Sequence, residues 1–255
     1  MTELKYDGMA PTSILFYKEV GHSQEGAKEV VSLFGDKGVF DGPKPVRLLQ
    51  RLITLANLKD DSIVLDFFSG SATTAHALMK TNLEKGTDRK FILVQLPEKV
   101  SDKKKDQGYG TICEIGKERI RRAGKKILEE LATKKAENGL FDKESEPTRL
   151  DVGFRVLKLD TSNMQDVYYT PDSSAATLFD DNVKPDRTPE DLLFQVMLEY
   201  NLPLSAKIER KTIAGKEVFS VNDDYLIACF DENVNETVIT EVAKRKPLYF
   251  IMRDS

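Results

Sequence analysis

Ser62-Ile63-Val64-Leu65-Asp66-Phe67-Phe68-Ser69-Gly70-Ser71-Ala72-Thr73-Thr74 joins a continuous apolar run, closed by an acid, to a turn of small residues. A short apolar run bounded by turn residues suits a strand buried in a parallel sheet. Gly70 lets the backbone pass close to a ligand, and the small Ser, Ala and Thr side chains keep the turn open. Backbone N–H groups at the start of a following helix meet a carboxylate or a phosphate. Neither G-x-x-x-x-G-K-S/T nor G-x-G-x-x-G is completed, which disfavours NTP hydrolysis and a dinucleotide site. Taken alone, the segment fits a nucleoside-type ligand and a plain βα turn equally.

Upstream, Val46, Leu49, Ile53 and Ala56 recur at helical spacing, with Leu48, Leu52 and Leu55 widening the stripe, until Asp60-Asp61 ends it. Downstream, a helix runs to about Leu83 and stops at Gly86. A second apolar run, Phe91-Ile92-Leu93-Val94-Gln95-Leu96, precedes Pro97-Glu98, and a long helix is expected over Thr111–Ala136. Alternating helices and buried strands predict βαβ units and a doubly wound sheet. In the first forty residues, Ser13–Tyr17 reads as a short strand and Gly26–Leu33 as a helical turn or two.

Around Asn138–Pro147 the composition turns polar, which divides the chain into residues 1–147 and 148–255. In the second region Thr188-Pro189-Glu190-Asp191 is a helix start: Thr as cap, Pro in first position, acids in the first turn. Leu193, Val196, Met197 and Tyr200 form that helix's apolar face. Strands are expected near Ala206–Ile213, Glu217–Val221 and Tyr225–Phe230, then a helix over Glu236–Arg245 and a strand at Leu248–Met252. The expected class is α/β, a partial Rossmann-like sheet followed by a smaller α+β domain.

The 255 residues carry a net charge of −4, unevenly spread. Lys99–Lys135 holds 12 Lys+Arg against 6 Asp+Glu, whereas Thr148–Ser255 holds 13 against 19. A basic stretch on an acidic protein marks either a nucleic-acid face or a solvated helix face. Lys103-Lys104-Lys105 and Arg119, Arg121 and Arg122 suit phosphates, a partner subunit or an acidic loop equally well. Two cysteines and two histidines cannot build a typical structural zinc site. No apolar run reaches the roughly 18–20 residues of a membrane span, and MTELKYDGMAPTS lacks a signal-peptide layout, so the expectation is a metal-free cytoplasmic protein.

The neighbourhood of Asp66 sharpens the reading. Phe40-Asp41-Gly42-Pro43-Lys44-Pro45, the Asp66–Thr74 loop and the strand ending in Gln95 together resemble the amino-methyltransferases of DNA that use S-adenosylmethionine. Gly110–Gly124, Asp151–Val156, Ser162-Asn163 and Asp186–Leu193 resemble the modification subunit of type III restriction–modification systems over nearly the whole chain. The resemblance implies a partial methyltransferase sheet. Its S-adenosylmethionine pocket would comprise Phe40, Lys44, Pro45, Asp66, Phe68, Ser69, Gly70, Ser71, Thr73 and Gln95. Ala72 stands where many relatives have glycine. Gln95 stands where many have an acid, so either Gln95 or Glu98 bonds the ribose.

These enzymes activate the exocyclic amine with a D-P-P-Y-like tetrapeptide, whose ring stacks on the extruded base. No such sequence occurs here, and Tyr169-Thr170-Pro171-Asp172 lies beyond the donor elements. His22 and His76 lack triad partners and read as structural or solvated, while Cys113 and Cys229 read as reduced thiols. No catalytic residue and no metal ligand is therefore assigned. The resemblance implies the C-terminal portion of an adenine-N6 DNA methyltransferase, inactive alone, that meets double-stranded DNA through the intact enzyme. It also implies a second modification subunit and a restriction helicase–nuclease as partners. The competing expectation is a non-catalytic assembly module.

Overall fold

The computed structural model describes residues 13–35, 39–101, 108–138, 150–165 and 182–253. The chain divides into two compact units, Met1–Val156 and Leu157–Ser255. Leu150, Val152 and Phe154, which the polar composition shift had placed in the second region, pack on a hydrophobic cluster of the first unit. Apolar side chains at alternate positions hold this segment there even though it follows a polar stretch.

In the first unit a helical turn α1 (Tyr17–Val20) leads into α2 (Ser23–Phe34), α3 (Val46–Leu55), β1 (Ile63–Asp66), α4 (Thr73–Lys85), β2 (Lys90–Leu93) and α5 (Ile112–Asn138). The expected strand at Ser13–Tyr17 does not form. Phe16 instead caps the turn α1, and Ile14, Phe16 and Tyr17 lie exposed. His22 caps α2, its Nδ1 accepting from the Glu25 amide.

β1 and β2 pair in parallel, Ile63 opposite Lys90 and Asp66 opposite Leu93. Val64, Phe91 and Leu93 face the helices. Val64 and Phe91 join Val46, Ile53, Ala77 and Leu78, and Leu93 joins Ala75, Met79, Ile120 and Ala123. The opposite face is bare: Ile63, Leu65, Phe67, Ile92, Val94 and Leu96 are all exposed. The apolar runs were read as buried on both sides, yet only alternate residues are covered.

The second unit runs α6 (Pro189–Glu199), β3 (Ile208–Ile213), β4 (Lys216–Val221), β5 (Leu226–Cys229), α7 (Glu236–Arg245) and β6 (Tyr249–Met252). Thr188 and Asp191 form a capping box at the start of α6, with Pro189 following the cap. The sheet order is β3-β4-β5-β6, antiparallel except for the last pair, which the α7 crossover makes parallel. Leu192, Leu193 and Met197 pack on one face with Phe219, Val221 and Ala228. Val238 and Val242 of α7 cover the other with Val218, Ile227 and Cys229. Among the described residues, no helix is long and apolar enough to cross a membrane, and no group of three potential metal ligands occurs.

Candidate donor-binding site

Parallel strands end side by side, so the loops leaving β1 and β2 lie together at the carboxyl edge of the sheet, the end at which open parallel sheets bind ligands. The β1 loop is stapled by Asp66. One carboxylate oxygen accepts from the Phe68 amide at 3.3 Å, the other from Thr74 Oγ1 at 2.5 Å. The ladder continues past the strands, with Val94 N donating to Asp66 O and Ser69 N to Val94 O.

Gly70 has φ +50°, and a Cβ there would stand 3.2 Å from Phe40 Cζ. Its amide donates to Gln95 Oε1 at 2.8 Å, while Gln95 Nε2 donates to Leu96 O. Gln95 thus pins the loop from the β2 side. Ala72 adopts the left-handed conformation (φ 59°, ψ 39°) as N-cap of α4. Glycine takes that conformation freely, whereas an L side chain there costs roughly 1–2 kcal/mol. α4 has no side-chain cap and no acid of its own in its first turn; the negative charge nearest its start is the Asp66 carboxylate, bonded to Thr74 Oγ1.

The Pro43-Lys44-Pro45 segment is held from below. A Cβ on Gly26 would lie 2.2 Å from Pro43 O, so α2 packs against it backbone to backbone. Pro43 and Pro45 are buried and Lys44 is exposed between them.

The ten predicted pocket residues therefore separate by direction. Phe68 is 74% exposed, with Lys44 also open, and Asp66, Ser69, Gly70 and Gln95 are partly open. Phe40 is half-buried against Gly70. Ser71 and Thr73 are buried beneath the loop, where both hydroxyls accept from Arg119 Nη1, at 2.8 and 2.7 Å. Glu98, the alternative ribose partner, is exposed.

Arg119 corrects the surface reading of the basic helix. It is fully buried on α5, and its Nη2 lies 3.7 Å from Glu29 Oε2. Burial lowers its pKa to about 10 and Glu29 holds it up, so it stays charged at neutral pH. Burial raises the Glu29 pKa, opposed by its bond to Val46 N and by the Arg119 charge. Arg122 is drawn inward too, bonding Glu118 and the carbonyls of Leu33 and Phe34 and stacking on the Phe34 ring. Arg121 alone of the three is mostly exposed, over Phe154 and near Glu118. Sequence reasoning missed Glu29 entirely. Its only signal is an acid on the α2 face that also carries Gly26.

His76, one turn into α4, is largely buried, and its pKa falls to about 3 through burial and then the charges of Arg119, Lys80 and Lys126. It is neutral and unsuited to acid–base work at pH 7. Cys113 is a thiol pushed upward by burial, donating to Gln95 O. Lys103–Lys105 and Tyr169–Asp172 lie outside the described residues.

Part of the chain is similar in sequence to known proteins. Residues 5–125 match the N6/N4 family described as DNA methylase. The chain is 48% identical over 114 residues to the Mod subunit of the type III restriction-modification enzyme StyLTI of Salmonella typhimurium, covering 44% of this chain and 17% of that protein. The EcoPI Mod subunit of Escherichia phage P1 is 41% identical over 118 residues, 46% of this chain and 18% of the relative. The type II methyltransferase M.KpnI of Klebsiella pneumoniae is 39% identical over 74 residues, 29% of this chain and 17% of its own length. The matched stretch thus spans less than a fifth of each of these relatives.

Proposed function

We propose that this chain supplies the S-adenosylmethionine-binding part of a type III, site-specific DNA adenine-N6 methyltransferase. The observation that carries the reading is the convergence of three separate segments. Phe40, the Asp66–Thr74 loop and Gln95 meet at the carboxyl ends of two parallel strands, with Pro43-Lys44-Pro45 following Phe40 and packed on α2.

The residues fit such a donor. Gly70 gives close backbone approach, the uncapped start of α4 and the Ser69–Gly70 backbone suit its carboxylate, and exposed Phe68 offers a ring face for its adenine. Gln95 already bonds Gly70, which favours exposed Glu98 for the ribose hydroxyls. When bound, the donor supplies an electrophilic methyl group. This chain's part is to hold and orient it, because the sequence has no D-P-P-Y-like tetrapeptide and no two adjacent prolines. The bare apolar face of β1–β2 supports the view that these strands belong to a larger sheet.

The reading places the whole enzyme on double-stranded DNA in the cytoplasm, with a second modification subunit and a restriction helicase–nuclease as partners. Incubating the purified chain with DNA and methyl-labelled donor is expected to give no incorporation, and robust methylation overturns the division of labour. Titrating S-adenosylmethionine into isotope-labelled chain is expected to shift the Gly70 and Ala72 amides at millimolar donor. Unmoved loop amides overturn the donor assignment.

One observation favours an assembly role for the second unit. Among the described residues, edge strand β6 pairs only with β5, and Leu248–Met252 carries no charge while Leu248 and Met252 are exposed. Native edges of this kind are normally blunted by charge or covered. Light scattering of Leu248→Glu/Met252→Glu is expected to show loss of self-association or of partner capture, and unchanged assembly removes the role.

A further inference from the structure

Ser71 and Thr73, which a ligand would be expected to touch, instead point inward to Arg119. Arg119 lies 46 and 48 residues along the chain from the two hydroxyls it holds. On its far side stands Glu29, whose two carboxylate oxygens accept from the Val46 amide at 3.1 and 2.9 Å. Val46 opens α3, whose N-cap is Pro45 and which has no side-chain cap of its own. A carboxylate from another helix therefore performs the capping that the local sequence omits. The chain of contacts runs from the loop hydroxyls through Arg119 and Glu29 to the residue that follows Pro43-Lys44-Pro45.

Burying a guanidinium is costly unless it is paired and hydrogen-bonded. Here the pairing is incomplete: Arg119 Nε and Nη2 lack hydrogen-bond partners, and Nη2 has only the 3.7 Å approach to Glu29. An arrangement kept for stability alone is better served by apolar packing. What this one achieves is a rigid, charged link between two segments distant in sequence.

We infer that Arg119 and Glu29 are positioning residues that couple the Ser69–Thr73 loop to the Pro43–Pro45 segment, so that both walls of the donor crevice hold one geometry. The inference rests on the donor reading for its purpose, but the coupling itself is testable without any donor. Neither residue touches the ligand surface. Arg119 acts through Ser71 and Thr73, and Glu29 acts through Val46.

The decisive experiment is amide hydrogen exchange on the whole chain, comparing wild type with Arg119→Lys and Glu29→Gln. Both replacements keep nearly the same side-chain length, Arg119→Lys keeping the charge and Glu29→Gln keeping an acceptor for Val46 N, and mid-helix amides of α4 such as Leu78 and Met79 report whether the chain has folded. The coupling predicts crossed effects, since locally opened segments exchange faster than the core that carries them. Arg119→Lys speeds exchange at Val46, which it does not touch, by about tenfold, and Glu29→Gln does the same at Ala72. Glu118→Gln, which breaks the surface pair with Arg122 on the same helix, leaves both amides unchanged. If each variant moves only its own immediate neighbours, or if all amides rise together, the coupling is wrong.

A second arm adds S-adenosylmethionine to the same samples. A wild type whose loop amides ignore the donor sinks the donor reading, while the exchange result still decides the coupling. Donor shifts of equal strength in wild type and both variants overturn the positioning role alone.

Discussion

The two sheets of this chain are built to different standards of enclosure. β3–β6 is covered on both faces, by α6 and by α7, and its central strands are almost completely buried. β1–β2 is covered on one face only, by helices α3, α4 and α5. Its other face leaves side chains as large as Leu65, Phe67 and Leu96 in solvent. Parallel strands normally occur buried on both sides. Two strands make a marginal sheet. The second unit therefore completes its own hydrophobic core, whereas the first leaves one face of its sheet exposed.

A matched pair of substitutions tests that contrast most strongly. Ile227 and Ile92 both sit inside parallel pairs, fully buried in β5 and 52% exposed in β2. Ile227→Ala is expected to cost about 2–5 kcal/mol by transfer and cavity terms, and Ile92→Ala less than about 0.5 kcal/mol. Denaturant titration of each variant measures both, and equal costs would dissolve the comparison.

Acid separates the units next. Both histidines lie in the first unit. His76 has its pKa depressed from 6.5 to about 3 by burial and by nearby cations. Its contribution is complete above about pH 6.5 and is lost as pH falls toward 3, because the unfolded chain takes up a proton that the folded chain refuses. The slope is at most about 1.4 kcal/mol per pH unit. Melting curves between pH 7 and 5 are expected to fall less steeply for His76→Gln than for wild type; parallel curves would show His76 to be accessible.

Two alanines in the left-handed region give the smallest and finest test. Ala214, exposed in the β3–β4 turn with Gly215, has φ 47°, and Ala72 has φ 59° with its methyl buried. Asn suits such a two-residue hairpin, so Ala214→Asn is expected to stabilise by about 0.5–1 kcal/mol. Ala72→Gly relieves similar strain, but loses a buried methyl and adds freedom to the unfolded chain, so the net change is expected within about 0.5 kcal/mol. A large gain at Ala72 would mean its methyl packs poorly against α5.

Much of this was legible in the sequence because it is local. The α3 stripe, the Thr188 cap and the strand runs of β4 and β5 are read from neighbours a few residues apart. The convergence of Phe40, the Asp66 loop and Gln95 was legible through family resemblance. What stayed hidden depends on distant partners. Arg119 looks like one more cation of a solvated helix until Glu29 and the Ser71 hydroxyl are found against it. The run at Ile63–Asp66 looks doubly buried because composition does not say whether a second layer exists. Ser13–Tyr17 has strand-like residues, yet Phe16 and Tyr17 open a helical turn.

The Arg119 contact also sets an order of events during synthesis. Ser71 leaves the ribosome 48 residues before the guanidinium that will hold it. At about 5–20 residues per second, the loop waits roughly 2–10 s for its anchor. During that interval the β1 segment is already emerged with an unset turn and uncovered apolar side chains. The turn after β1 is therefore set late in translation, by a residue made after it.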